Sequence, residues 1–343
     1  MSAAVHPVVR ALLDRGADPD AEVGRADWHS LWDALGAGAL ARGEAVALLA
    51  SLSTLRPTPA TAAAFARSLV ERAPAPGITF PGAVNVVGTG GGPRTFNVST
   101  AAAFVAAAAG TPVVKSGSRS RTSAHGSYDL LDRLGVPRTR SHAETAGALD
   151  RRGIAFTGDF VYPVELAALV RAVLPLPPGP LVGFVNLLGP LLAVVPVAAQ
   201  VTGVADRSAL PLLRAVADAA VPHPVWLCAN TAGADELLGF ADDTIDTGGT
   251  PVPVPRTSGS LAQLRPVPDG ELVEHFLDVL AGRGTPTAVG VVRLNAAAVI
   301  RAADPATTWP AALAGAEEAM RSGAAVGLAQ RERTGRAVAV ARG

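Results

Sequence analysis

Between residues 83 and 135 the chain runs twice through one order: an apolar stretch, a loop of small residues, then a helix closed by glycine. This repetition constrains the fold more than any other feature. In the first pass, 83–87 are apolar, 88–97 carry Gly88, Gly90, Gly91 and Gly92, and 99–109 are rich in alanine before Gly110. In the second, 111–115 end in Lys115, 116–126 are small and polar, and 127–134 carry a helical apolar face before Gly135. Two consecutive strand–loop–helix units point to a parallel sheet with covering helices. Both loops then leave the carboxyl edge of that sheet, where ligands bind in α/β folds.

The first seventy-odd residues carry helical patterns over 6–15, 27–35, 45–52 and 58–73, with Thr58 as an N-cap and Pro59 at the first helical position. A Pro/Gly stretch at 74–77 ends them. The expectation is an α/β protein: a small helical domain over 1–75 and a large α/β domain over 78–343, with a mostly parallel central sheet and covering helices. Residues 224–227 and 289–292 read as further strands, and 248–267 as a loop or irregular β excursion. Residues 271–281, 295–302 and 309–322 read as helices.

Composition narrows the function. Lys and Arg number 29 and Asp and Glu 29, a net charge of zero that argues against capture of nucleic acid or of a membrane surface. Cys228 is the only cysteine, so no disulfide framework or cysteine-rich metal site is expected. Apolar stretches such as 100–109 and 181–204 are short or broken by Gly and Pro, and read as core rather than membrane spans. No basic stretch followed by an apolar run opens the sequence, so a soluble cytoplasmic protein is expected. Lys115 is the only lysine.

The chemistry concentrates in three loops. Glycines at 88–92 permit unusual backbone angles and close approach of a ligand, and the N–H groups of such a loop suit phosphate oxygens. Asn97, Ser99 and Thr100 add side-chain oxygens at the next helix start; the same residues also suit a tight turn with an ordinary cap. The second loop brings Lys115, Arg119, Arg121, several hydroxyls and then Ser127, a set suited to a polyanion such as pyrophosphate. Asp235 and Glu236 lie at what reads as a turn into a helix. Adjacent acids near a phosphate site suit Mg2+, which takes one or two carboxylates plus substrate oxygens. Taken alone, acids favoured by a helix dipole are the simpler account. Asp242 and Asp243 read as surface, and 185–191 as an apolar core loop with a hydrogen-bonded Asn186.

In order, these segments resemble the anthranilate phosphoribosyltransferase family: Gly88-Thr89-Gly90-Gly91, Thr95-Phe96-Asn97-Val98-Ser99-Thr100, Lys115-x-Gly117-x-Arg119-Ser120, Gly126-Ser127-x-Asp129-Leu130-Leu131, Asn186-Leu187-Leu188-Gly189-Pro190-Leu191, Asp235-Glu236 and Asn295-Ala296-Ala297. A closing helix over 317–329 fits as well. The resemblance implies a helical domain completed by about 162–175, and a homodimer formed through it. It implies transfer of 5-phosphoribose from phosphoribosyl pyrophosphate (PRPP) to an aromatic amine, with release of pyrophosphate. By the same resemblance Gly88, Gly91, Gly92, Thr95, Asn97, Ser99, Thr100, Lys115, Ser123 and Ser127 would hold PRPP. Ser99, Asp235 and Glu236 would serve Mg2+, and Ser116, Ser118, Tyr162 and Arg171 would border the acceptor. No acid–base residue is assigned.

The resemblance weakens on the acceptor side. Gly92 stands where the family's Gly-Thr-Gly-Gly-Asp has an acid. Ser116 and Ser118 replace the His and Asn of Lys-His-Gly-Asn-Arg, and Ser118 is too short to reach an amine as the Asn does. The family's Phe-Ala-Pro…His-Pro-Ala is here Phe156 to Val164, without the His. Arg171 stands for the arginine that holds the acceptor carboxylate, with a longer spacing to Asn186. The expected reaction is therefore Mg2+-dependent transfer to an aromatic acid other than anthranilate, such as salicylate or another benzoate. Two alternatives stay open: anthranilate itself, as in tryptophan biosynthesis, and a non-catalytic homologue that binds a nucleotide or nucleic acid. Neutral charge weighs against nucleic acid, and the retained Lys115, Asp235 and Glu236 weigh against a non-catalytic chain.

Overall fold

A computed structural model of the chain describes residues 5–18, 21–117 and 126–331. Helices α1 (Pro7–Asp14), α2 (Arg25–Gly36), α3 (Arg42–Thr54) and α4 (Pro59–Arg72) come first. Then follow β1 (Phe80–Gly88), α5 (Val98–Ala108), β2 (Val113–Lys115), α6 (Ser127–Leu134), α7 (His142–Arg152) and β3 (Ile154–Phe156). Next are α8 (Val164–Ala172), α9 (Gly183–Leu192), β4 (Val197–Val204), α10 (Leu210–Ala220), β5 (Val225–Asn230) and β6 (Asp243–Asp246). Helices α11 (Leu272–Leu280), α12 (Pro286–Ala303) and α13 (Trp309–Arg321) close the run.

The chain divides into two compact units. One holds Met1–Ala75, Tyr162–Val194 and Ser208–Pro222; the other holds Pro76–Val161, Val195–Arg207 and His223–Gly343. The first is helical. Its centre is aromatic: Trp28 stacks on Trp32 with ring centroids 5.9 Å apart, and Phe65 lies edge-on to Trp28 at 4.9 Å. Phe184 of α9 meets Phe65 at 5.5 Å, which binds a late segment of the chain to the early helices. Each such ring, once buried, contributes about 2 kcal/mol or more. The Thr58 hydroxyl caps α4 by accepting from Thr61 N–H at 3.2 Å, with Pro59 at the first helical position.

The second unit is built on a six-stranded sheet of order β3-β2-β1-β4-β5-β6, parallel except for β6, which pairs antiparallel with β5. β1 is central, flanked by β2 and β4. Its residues 83–87 are all buried, as expected of a strand covered on both faces. Helix α5 is almost entirely buried; its alanines let α12 pack directly against it. Gly135, at φ 72°, closes α6 in the left-handed conformation that glycine adopts without strain.

Several expectations change. Residues 289–292 are not a strand; they lie inside α12, which starts at the Thr285 cap and runs through Ala303. A short buried apolar run looks the same in a helix and in a strand. Residues 185–191 are not a core loop: they belong to α9, and Asn186 is exposed on it. The closing helix is interrupted, since α13 ends at Arg321 and Gly323 turns the chain with φ 77° before residues 324–331. No helix among the described residues is long and apolar enough to cross a membrane.

Candidate active site

The carboxyl ends of four neighbouring strands bring the chemistry together: Gly88 on β1, Lys115 on β2, Val204 on β4 and Asn230 on β5. The glycine loop leaves β1 with Thr89 N–H donating to Gly203 O at 2.9 Å. Gly90 and Gly91 follow at φ 65° and 87°, angles that side chains disfavour. Gly90 N–H donates to the Asp235 carboxylate at 3.0 Å. The amides of Gly91 and Gly92 find no partner among the described residues. Asn97 stands at the N-cap of α5 but makes no capping bond with its side chain.

Asp235 and Glu236 face this loop. They do not enter a helix, contrary to the sequence expectation; they lie in an irregular loop between β5 and β6. The Thr95 hydroxyl donates to Glu236 Oε1 at 2.8 Å, while the buried Glu236 Oε2 has no partner among the described residues. Burial, reinforced by the Asp235 charge, pushes the Glu236 carboxyl up to about 8. Burial raises Asp235 too, against the opposing pull of Gly90 N–H and Lys115. Lys115 is 5 % exposed, and its ammonium donates to Ser99 Oγ at 3.2 Å. Burial lowers it to about 8, against the attraction of both acids.

The other anticipated residues divide. Thr100 is buried, its hydroxyl without a partner among the described residues. Ser116 is fully buried and does not offer its hydroxyl to a ligand: both its amide and its hydroxyl donate to Asn85 Oδ1, at 3.1 and 3.0 Å. Asn85 in turn donates to Gln200 at 2.7 Å, and Gln200 to Thr202 at 2.9 Å, so Ser116 ends a polar chain inside the sheet. Ser127 starts α6, and a Cβ on Gly117 would lie 3.0 Å from its hydroxyl. Ser118 and Ser123 lie outside the described residues. Tyr162 and Arg171 belong to the helical unit, where Tyr162 is half-buried and Arg171 exposed on α8. Asp242 is exposed as expected, but Asp243 is half-buried and accepts from Leu238 and Gly239 N–H at 2.9 and 2.7 Å.

Sequence reasoning missed the residues that seat the acids. A Cβ on Gly203 would collide with the Asp235 carbonyl oxygen, one on Gly88 with the Asp235 carboxylate, and one on Gly92 with the Gly233 carbonyl oxygen. Gly92 is thus part of a seat, closed to the acid that the family pattern has there. Asn230 and Asn295 hold the acid loop through their side-chain amides. An asparagine closing the apolar run from Val225 was the available signal.

Residues 81–326 match the family described as glycosyl transferase family, a/b domain. An anthranilate phosphoribosyltransferase of Bacillus licheniformis is 31% identical over 316 residues, covering 88% of this chain and 91% of that protein. The chain belongs to the anthranilate phosphoribosyltransferase family. It is therefore one of the glycosyltransferases that move phosphoribosyl groups. Among solved structures, the Thermus thermophilus member superposes with a TM-score of 0.78 at 28% identity, covering 95% of this chain and 98% of that one. The Saccharomyces cerevisiae member, in complex with PRPP and Mg, gives a TM-score of 0.78 at 20% identity over 96% and 97% of the two chains, a likeness of fold.

Proposed function

We propose that this chain transfers 5-phosphoribose from PRPP to an aromatic acid, with Mg2+ as cofactor and pyrophosphate as leaving group. One observation carries the reading: the buried Lys115 and Glu236 and the half-buried Asp235 meet a glycine loop whose Gly91 and Gly92 amides have no partner among the described residues. Amides and an ammonium suit the pyrophosphate, and Ser99, Thr95, Asn97, Thr100 and Ser127 would join Gly88 in holding PRPP, as would Ser123, which lies outside the described residues.

The residues fit Mg2+. Glu236 Oε2 is buried with no partner among the described residues, and burial raises both carboxyls above their usual range. No group of three or more His, Cys, Asp or Glu converges among the described residues. Two carboxylates completed by substrate oxygens are what Mg2+ takes. Asp235 and Glu236, together with Ser99, would hold it, and it would neutralise charge on the departing pyrophosphate. Lys115 keeps its positive charge below about pH 8 and sits within reach of Ser99. Fixed donors of this kind act most strongly where charge develops, and holding donor and acceptor in line supplies much of the rate.

On the acceptor side the proposal is an aromatic acid other than anthranilate, its carboxylate held by Arg171 and its ring beside Tyr162. Its support is the replacement of the family's amine-facing residues and the withdrawal of Ser116 into the sheet. A homodimer through the helical unit, in the cytoplasm, completes the reading. Anthranilate is the second reading, favoured by the name of the 31% identical relative. Pyrophosphate release from PRPP and Mg2+ with a panel of benzoates tests both. The highest release is expected with a hydroxybenzoate or an aminobenzoate other than anthranilate. Anthranilate as best substrate replaces the acceptor assignment. No release with any acceptor, together with no PRPP binding by calorimetry, overturns the transferase.

A further inference from the structure

We propose that Asn230 is the positioning residue that presets the two acids for Mg2+, an assignment that rests on the donor and metal reading above. Asn230 ends β5 and is 1 % exposed. A side-chain amide has two N–H donors and two acceptor lone pairs, and here all four go to one loop. Its Nδ2 donates to Ala234 O at 2.9 Å and to Glu236 O at 2.7 Å, the carbonyls on either side of Asp235. Its Oδ1 accepts from Ala232 N–H at 3.0 Å and Ala234 N–H at 3.2 Å.

These four bonds set the path of the backbone through 232–236, with Gly233 at φ 74° making the reversal. The seat beneath cannot yield, because Gly203, Gly88 and Gly92 leave no room between the strand ends and the loop. Beyond Glu236, Asn295 fixes Leu237 through both its N–H, at 3.0 Å, and its carbonyl, at 2.7 Å. The acids need such restraint. Two adjacent carboxylates repel one another, and a free loop relaxes by turning them apart. Asn230 holds them in place before any cation arrives, so the cation meets a formed pair.

Replacement by Asp keeps the shape but turns lone pairs toward two carbonyls and adds negative charge behind the pair. Replacement by Ser keeps a single hydroxyl for four buried groups. The test is PRPP affinity by calorimetry, with and without Mg2+, for the wild type, Asn230→Asp and Asn230→Ser, alongside thermal unfolding. The expected result is that the gain in affinity on adding Mg2+ falls about tenfold or more in either variant that folds, while metal-free affinity stays within about threefold. A variant that keeps the full Mg2+-dependent gain overturns the assignment to Asn230 and leaves the transferase reading intact. A wild type with no Mg2+-dependent gain overturns the metal reading and this assignment with it. Should Asn230→Asp fail to fold, Asn230→Ser and the partial loosening by Asn295→Ser give the same readout.

Discussion

The glycine loop after β1 and the acid loop after β5 face each other and are built on opposite rules. In the glycine loop, two consecutive amides are left without partners among the described residues, and the backbone takes angles that need glycine. In the acid loop, backbone groups from Ala232 to Gly239 are taken up by Asn230, Asn295 and Asp243. The difference separates two tasks. A surface that receives phosphate oxygens keeps its donors unmet until the ligand arrives. A surface that must hold two like charges side by side needs its backbone fully bonded, because repulsion would otherwise deform it.

The largest effect should come from removing the charges that the acid loop holds. Asp235→Asn combined with Glu236→Gln should lower kcat/KM for PRPP about a thousandfold. A loss under about tenfold would break the contrast, since the rigid loop would then hold nothing the reaction needs. Next comes the seat. Gly203→Ala sets a Cβ against the Asp235 carbonyl oxygen and should cost about 1–3 kcal/mol in urea unfolding. Gly91→Ala meets open space and bears only the strain of its φ of 87°, about 1 kcal/mol. Equal costs would show that the two loops do not differ in packing. A third test is in pH. Glu236, raised from 4.5 to about 8, binds more protons folded than unfolded between those values, so stability of the ligand-free protein should fall as pH rises across that window. Lys115, lowered from 10.5 to about 8, reverses the trend above pH 8, where the unfolded chain holds the extra proton. Thermal midpoints from pH 5 to 8 measure the fall, and Glu236→Gln should flatten it.

The sequence exposed the glycine loop and hid the acid loop's supports, for a physical reason. Gly88 to Gly92 work through their own backbone, so their composition is their function. The two strand–loop–helix units around them were legible for the same reason, ending in Lys115 and Gly135 where the structure ends β2 and caps α6. Asn230, Asn295 and Gly203 act on a loop reached only through folding; the one local mark is that Asn230 closes the apolar run from Val225. Asp235 and Glu236 were expected at a turn into a helix that does not form, because adjacent acids are also what a helix start favours. Residues 289–292 misled in the other direction: Val291 and Val292 are buried, Val289 and Gly290 half-buried, and the short apolar run lacks the polar face that distinguishes a helix.

The interlock of Gly88, Gly92 and Gly203 with the acid loop has a consequence for inheritance. These positions lie far apart in the chain yet occupy one volume, so a change at any of them alters what the others can accept. A lineage that gains a side chain at position 92 must first move Gly233, and moving Gly233 releases Asn230 from its bonds to Ala232 and Ala234. Descendants of this chain should therefore keep or lose the three glycines and Asn230 as a set. Any effort to graft the family's acid back at position 92 has to rebuild the loop after β5 in the same step.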